Sequence, residues 1–572
     1  MVYLMKKIVF GTPEKHVPTA YCKNLRYTES ETDYPVEKIR FSELVSGIAL
    51  ELPYDNDAEY YGFGLQLKVM AFKGRKVTLR TNSDPAAATG DSHAPVPFFV
   101  STKGYGIYVD TARYAEFIFG AQKSDSMTAW TESKNTCSTE ELYGISDEGD
   151  GRVISVYIPA AKGVTLYIFT GENITDVVSQ YNMFSGGGPD VPEWGLGVLY
   201  RCSIKYDQNE VVKCARYFRE SDIPCSTIGL EPGWHTHAYS CTYEWNPKLF
   251  PEPEKFISEM RELGYHLNLW EHAYVHPDSP ISGEIRKYSG NYKVFGGYVP
   301  DFSTKEASDI YANHHREYLI NDVIDGFKLD ECDSSDFKDG AWGFPNQTEF
   351  PSGMDGMQYH NLFGVLYQQT IMKALGDKKT LSEVRASGAL AASYPFVLYS
   401  DLYDHKEFIR GCVNSGFSGI LWAPELRYTK TKRELLCRLQ TVVFSAHCLI
   451  NGWNYHTIPW LEFDCEDEVR YWLKVREKLV PMLKKSFDIY RDTGKPPIRA
   501  LVCDYTDDPQ TYKIDDEYLF CEKLLVAPVT EKDTSRKIYL PAGSWKNYFT
   551  GVKQESGWFE CGAESIAVFE KE

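Results

Sequence analysis

The stretch DGFKLDECDSSDF, residues 325–337, has the pattern of a buried strand that ends in a cluster of carboxylates. Phe327 and Leu329 alternate with Lys328 and Asp330, as expected of a β-strand. Three further acidic residues follow Asp330 at short intervals, namely Glu331, Asp333 and Asp336. Such a cluster is either a solvated acidic loop or, if the strand belongs to a barrel, a set of carboxylates at the mouth where barrel enzymes bind substrates.

The length and charge of the chain limit its architecture and partners. A chain of 572 residues is too long for one hydrophobic core and should divide into several domains. A net charge of -19 argues against nucleic acid or an anionic membrane as a partner. The 40 Tyr and 12 Trp residues agree with a sugar-binding protein, because flat rings cover the apolar faces of sugars. We therefore expect a neutral substrate, with a homo-oligomer left open, although aromatic rings also fill β-sandwich cores.

Targeting signals and cysteine spacing favour the cytoplasm. The N-terminus, MVYLMKKIVFG, does not have the pattern of a signal peptide, and no apolar run approaches the roughly 18 residues that span a bilayer. The 14 cysteines are scattered and are predicted to be reduced thiols. Although His235, His237 and Cys241 could be drawn as metal ligands, no residue completes the set at a recognisable spacing. We expect neither a metal nor a cofactor.

The hydrophobic pattern predicts three domains. Residues 1–188 consist of short alternating strands, which predicts an N-terminal β-sandwich. Residues 189–483 alternate strands with helices, which predicts a parallel (β/α)8 TIM barrel. Residues 484–572 return to strands and predict a small C-terminal β-sandwich.

A polar loop in the N-terminal domain is a candidate for contact with another domain. The loop contains Asp91 and His93 and precedes a hairpin that turns at Lys103 and Gly104. The loop either reaches a pocket of the neighbouring domain or only connects strands of its own sheet. The sequence leaves these alternatives equal.

Several motifs, in order along the chain, resemble those of glycoside hydrolase family 31, the retaining α-glycosidases. They are YGFG at 61–64, PFFVSTKGYG at 97–106, WNPKLFPEPEKFISEMRELGYHLNLW at 245–270, DFSTKEA at 301–307, EYLFCEKLLVAPV at 517–529 and IYLPAGSW at 538–545. The resemblance implies the same three domains, with a short C-terminal part. It also implies a small oligosaccharide or glycoside as the substrate, and a pair of catalytic aspartates.

The catalytic pair follows from the family's patterns. FKLDECD resembles the strand end that carries the family's nucleophile, which places that role on Asp330. RASGALAASYPFVLYSD, which begins at Arg385, resembles the segment that ends in the acid/base aspartate, which places that role on Asp401, with Asp404 as a nearby rival. Two carboxylates are needed because one attacks the anomeric carbon while the other protonates the leaving oxygen.

Further residues are predicted to line the sugar pocket. Strand ends carry Glu231, Trp270 and Trp422, which we expect to bind hydroxyls or to cover the sugar, with barrel-core packing as the alternative for the two rings. Arg385 matches an arginine that binds a sugar hydroxyl in the family, and it or Lys328 would keep Asp330 ionised.

Three departures from the family concern the choice of sugar. Asn451 stands where glucosidases of the family have a histidine, WAPELRY at 422–428 replaces a WSHDIGG-like segment, and Ala392 and Ser393 replace a polar pair. Because a pocket selects sugars by which hydroxyls find partners, we do not expect a standard α-glucoside. Galactose, xylose or a substituted sugar remain open. An α-glucan lyase and a catalytically silent sugar-binding protein are the competing interpretations.

Overall fold

The computed structural model describes residues 4–83, 87–122, 151–334, 342–401, 404–455 and 457–572. Asp336 of the acidic cluster lies outside these residues. Every cysteine in the described ranges is a free thiol and most are buried, as their scattered spacing predicted.

Two sheets form the N-terminal part of the chain. One has six strands, in the order Thr28–Glu29, Leu4–Thr12, Lys162–Thr170, Tyr105–Asp110, Pro95–Ser101 and Tyr60–Gly64. The other has five, in the order Arg40–Leu44, Gly47–Pro53, Arg152–Pro159, Glu116–Gln122 and Lys76–Thr78. The sheets share a core rich in aromatic rings, in which Phe63 and Phe117 lie 4.8 Å apart between ring centroids. The helix Ile174–Phe184 then leads to the next domain.

A parallel sheet of seven strands forms the centre of the molecule. In chain order the strands are β1 (Val198–Arg201), β2 (Thr227–Leu230), β3 (His266–His272), β4 (Ile324–Asp330), β5 (Ser382–Val384), β6 (Phe396–Leu398) and β7 (Cys448–Asn451). They pair in the order β6-β5-β4-β3-β2-β1-β7. Nearly all of their residues are buried, as expected when both faces of a parallel sheet are covered.

The sheet closes on itself through the segment 421–426. One parallel bridge joins Trp422 to Leu398 of β6, and another joins Leu426 to Ile450 of β7. This segment therefore occupies an eighth position between the two edge strands, as a (β/α)8 barrel requires. The segment follows Gly419, which has a φ of 69° and ends a short 3-10 helix.

Seven helices of ten or more residues accompany this sheet in the described part of the chain. They are α1 (Gln208–Glu220), α2 (Pro253–Glu262), α3 (Lys305–Tyr318), α4 (Gly356–Leu375), α5 (His405–Ser415), α6 (Lys432–Val443) and α7 (Glu466–Thr493). The local sequence explains their starts. Asp207 and Glu210 form a capping box on α1, and Asp355 caps α4 by accepting a hydrogen bond from the backbone N of Gln358.

The C-terminal part follows the long helix α7, which contains the boundary expected at residue 484 and continues to Thr493. It ends at Gly494, which has a φ of 79°, and a left-handed glycine is a common helix end. After it come a six-stranded sheet and a two-stranded sheet, with strands Ile498–Ala500, Tyr518–Phe520, Leu524–Ala527, Ala567–Lys571, Trp545–Asn547 and Lys553–Gln554 in the first and Ser535–Leu540 and Gly557–Gly562 in the second.

Candidate active site

Asp330 is the last residue of β4, at the carboxyl end of the barrel, and it is almost fully buried. The indole Nε1 of Trp270 donates a 2.7 Å hydrogen bond to Oδ2 of Asp330, and the backbone N of Glu331 donates one of 2.9 Å to Oδ1. Glu331 has a φ of 52°, so the chain turns sharply as soon as the strand ends. Hydrogen-bond donors from β3 and from the backbone of the next residue therefore hold the Asp330 carboxylate in one orientation.

The surroundings of Asp330 keep it ionised. Burial alone would raise the pKa of its carboxyl group, but the charges of Arg385 and Lys328 and hydrogen bonds from Tyr399 and Trp270 lower it to about 2. A carboxylate with this pKa is negatively charged at any working pH, as a nucleophile requires.

Arg385 joins the two predicted catalytic aspartates. Its Nη1 lies 3.7 Å from Oδ1 of Asp330 and donates a 2.6 Å hydrogen bond to Oδ2 of Asp401. Asp401 is the more exposed of the two, with 45% of its side chain accessible. Because one nitrogen lies near an oxygen of each, the two carboxyl groups are neighbours at the same end of the barrel.

The floor of the site is a buried network of ion pairs. Glu231, at the end of β2, accepts a hydrogen bond from Arg201 Nε and lies 3.5 Å from Lys328 Nζ. Burial opposes ionisation of Glu231, but the charges of Lys328 and Arg201 together lower its pKa. The Lys328 ammonium also lies 4.6 Å from the centroid of the Tyr399 ring. These contacts fix Glu231 and Lys328 below Asp330.

The N-terminal domain contributes to the site through only one of the two predicted loop residues. The buried His93 has Nδ1 3.0 Å from Oδ2 of Asp333 and 3.1 Å from the backbone O of Arg385. Arg385 Nε donates a 2.8 Å hydrogen bond to the same Asp333 oxygen. Asp91 instead pairs with Arg80 of its own domain. The strand Asp91–Ser92 ends before His93, so the two side chains are not held on one face of a strand.

Two other predicted pocket residues are engaged elsewhere. Trp422 donates from Nε1 to the backbone O of Phe408 at 3.1 Å and packs on α5, which is the core packing that was the alternative for this ring. Asn451 lies at the end of β7 but uses its amide internally, because Nδ2 donates to Glu425 at 3.0 Å and Oδ1 accepts from the backbone N of Trp453 at 3.1 Å. Asn451 therefore acts on the site through Glu425.

The residues that sequence analysis missed lie mainly in the segment that closes the barrel. Arg427 donates from Nη1 to Oδ1 of Asp401, and its Nε lies 3.4 Å from Oε1 of Glu425. Burial raises the pKa of Glu425 to about 7. Burial and the charge of Asp330 raise the pKa of Glu331 to about 8. These residues could have been found from the segment WAPELRY, 422–428, because it departs from the family pattern by adding the charged pair Glu425 and Arg427 at a strand end.

Two searches of the described residues gave no site of another kind. No group of three or more His, Cys, Asp or Glu side chains in these ranges is arranged to hold a metal ion. Among the helices described, none has the length and apolar character needed to cross a membrane.

A parallel barrel with two neighbouring carboxylates at one end has the arrangement expected of a glycoside hydrolase of the barrel type. Comparison with family models gives the same result. Residues 188–485 match the TIM-barrel domain of glycosyl hydrolases family 31, and residues 494–572 match the C-terminal domain of that family. The chain belongs to glycosyl hydrolases family 31.

Similar proteins carry several activities. An α-xylosidase of Emericella nidulans is 23% identical over 90% of this chain and 64% of its own length. α-Glucosidase 2 of Bacillus thermoamyloliquefaciens is 25% identical over 91% and 67%. The structure of a family 31 dextranase of Flavobacterium johnsoniae in complex with glucose has a TM-score of 0.78 at 20% identity, covering 93% of this chain and 67% of the dextranase. The chain thus spans about two thirds of the length of these relatives.

Proposed function

We propose that this protein is a retaining, exo-acting α-glycosidase with Asp330 as the nucleophile and Asp401 as the acid/base. The observation that carries the proposal is the single nitrogen of Arg385 that contacts both carboxyl groups. Asp330 attacks C1 of the sugar while Asp401 protonates the departing oxygen, which gives a covalent glycosyl-enzyme. Asp401 then removes a proton from water, which attacks C1 and restores the α-configuration.

The closed end of the site supports removal of terminal sugars. Glu231, Lys328 and Arg201 are all buried and tied to one another, so paired side chains fill the barrel interior beside Asp330. Asp401, by contrast, is accessible from solvent and marks the side on which the leaving group departs. His93, supplied by a proposed N-terminal β-sandwich, holds Asp333 and Arg385 in place.

The sugar is proposed to differ from a standard α-glucoside. The relatives include an α-xylosidase and an α-glucosidase, so family membership leaves the sugar open. In this chain Asn451 is bonded to Glu425, and Arg427 stands beside them. A pocket with these partners favours a different hydroxyl pattern, and α-galactosides and α-xylosides are the first candidates.

The mechanism and the sugar can be tested together. Nitrophenyl α-glucoside, α-galactoside, α-xyloside and α-N-acetylgalactosaminide are incubated with the protein, and the products are followed by NMR. We expect hydrolysis of at least one glycoside faster than the glucoside, with the α-anomer of the free sugar formed first. A β-anomer formed first would refute double displacement. An unsaturated or anhydro sugar would establish a lyase, and no turnover of any α-glycoside would favour a sugar-binding protein.

Trp270→Phe should lower kcat/KM by about 10- to 100-fold, because it removes a hydrogen bond to a buried charged group. A smaller aromatic ring remains in the buried position, so less packing is lost than with alanine. Trp422→Phe is the matched control, because it removes an indole N–H that donates to the backbone of α5 outside the site. Equal losses in the two variants would show that the Trp270 bond to Asp330 does not contribute to catalysis.

A further inference from the structure

Asp401, the proposed acid/base, lies between two guanidinium groups. Its two oxygens accept hydrogen bonds from the guanidinium groups of Arg385 and Arg427. Two cations in contact with a carboxyl group favour its ionised form. A general acid must carry a proton when the substrate is bound. If Asp401 has the proposed role, at least one of these arginines must release it.

Arg427 is the arginine that can change partner. Arg385 is fixed, because its Nε donates to Asp333 at 2.8 Å and its Nη1 also faces Asp330. Arg427 has a second carboxyl group within reach, since its Nε lies 3.4 Å from Oε1 of Glu425. The guanidinium therefore needs only a small movement to exchange Asp401 for Glu425.

Glu425 is suited to become the new anionic partner of Arg427. It is 1% exposed, and its Oε2 makes no hydrogen bond within the described part of the chain. Burial raises the pKa of Glu425 to about 7, against the opposing charge of Lys328, so near neutral pH it can hold or lose its proton. A buried carboxyl group in this state loses its proton readily when a cation approaches.

The charge balance of the buried site links the two carboxyl groups. Protonation of Asp401 alone would remove a negative charge from beside the buried guanidinium group of Arg427, which is unfavourable. Ionisation of Glu425 in the same step leaves the total charge unchanged.

We propose that Arg427 couples the protonation of Asp401 to the ionisation of Glu425. Glu425 releases one proton to solvent, and Asp401 takes up one proton. Arg427 moves its hydrogen bonds from Asp401 to the newly formed carboxylate of Glu425. Arg427 is a positioning residue in this scheme. The other titratable groups that act on this trio are Arg385, Lys328, Arg201, Glu231, Asp330 and Tyr399.

The test is the alkaline limb of the kcat/KM profile, which reports loss of the Asp401 proton in the free enzyme. Arg427→Met removes a cation from Asp401, so the limb should move to higher pH by about one unit. Glu425→Gln leaves Arg427 without an alternative anion, so the limb should move to lower pH. The alkaline limb of the double variant should lie at the same pH as that of Arg427→Met alone. The limb of Arg427→Lys should lie between those of Arg427→Met and the wild type.

Opposite shifts distinguish the coupling from a structural role, which would lower activity without moving the limb. Shifts in the same direction, or none, would overturn it. If Arg427→Met does not fold, Arg427→Lys with Glu425→Gln gives the same comparison. The proposed function is tested separately with an α-glycosyl fluoride. If the activity of Asp401→Ala does not depend on the leaving group, the acid/base assignment fails. If it does depend on the leaving group but the alkaline limb does not move in the Arg427 and Glu425 variants, only the coupling is refuted.

Discussion

Asp330→Asn should lower kcat/KM by about four orders of magnitude or more on every α-glycoside that the wild type hydrolyses. The amide has almost the same shape and still accepts the hydrogen bond from Trp270. It has no negative charge and cannot form the ester that double displacement requires. The measurement is initial-rate kinetics with the best nitrophenyl glycoside.

A matched control lies on the same strand. Asp325 is also a buried carboxylate of β4, but it lies near the opposite end of the strand and faces His266, with Oδ2 3.1 Å from Nδ1. Asp325→Asn should therefore keep kcat/KM within a few-fold of the wild type. Normal turnover by Asp330→Asn would show that another carboxylate attacks the sugar, and Asp333 and Glu331 would then be examined in the same way.

The nucleophile strand could be predicted from sequence because its evidence is local. Alternation from Phe327 to Asp330 identifies the strand, and its carboxyl end faces the barrel mouth in any barrel of this type. Arg385 could be predicted through the family resemblance. The structure adds that its guanidinium contacts both Asp330 and Asp401, which depends on how strands far apart in the chain are placed.

Side-chain direction was the main limit of sequence analysis. Trp422 follows a strand-like run, but which residues of the run point inward is set by the bridges to β6 and β7. Asp91 and His93 are two residues apart, and only His93 reaches Arg385. These outcomes depend on register and domain packing, which a single sequence does not contain.

The closing segment was missed for a related reason. Its two bridges leave only a short stretch of strand-like pairing, and the charged residues Glu425 and Arg427 look like a solvated turn in sequence. In the fold both are buried, with 1% and 4% of the residue exposed. A buried charged pair beside a catalytic carboxylate has a functional role more often than a solvated one, but burial is visible only once the barrel has closed.

Asp401→Ala should show a loss of activity that depends on the leaving group. Glycosides with poor alkoxide leaving groups need a proton from the acid, so their kcat/KM should fall by about 1,000- to 10,000-fold. A dinitrophenyl glycoside or a glycosyl fluoride leaves without that proton and should still form the glycosyl-enzyme at a rate close to that of the wild type. Because the second step also lacks its base, the intermediate should accumulate, and an initial burst of released leaving group should be seen.

Rescue by azide and a control variant at Asp404 make this prediction specific. Azide attacks C1 without needing a base, so it should restore turnover of the activated substrates by Asp401→Ala and yield a glycosyl azide. Asp404→Ala is the control for the rival aspartate. The Asp404 side chain caps α5 by accepting a 3.0 Å hydrogen bond from the backbone N of Glu407, so its loss should lower stability by about 1 kcal/mol without leaving-group dependence. If Asp404→Ala instead gave the burst and the azide rescue, the acid/base role would belong to Asp404.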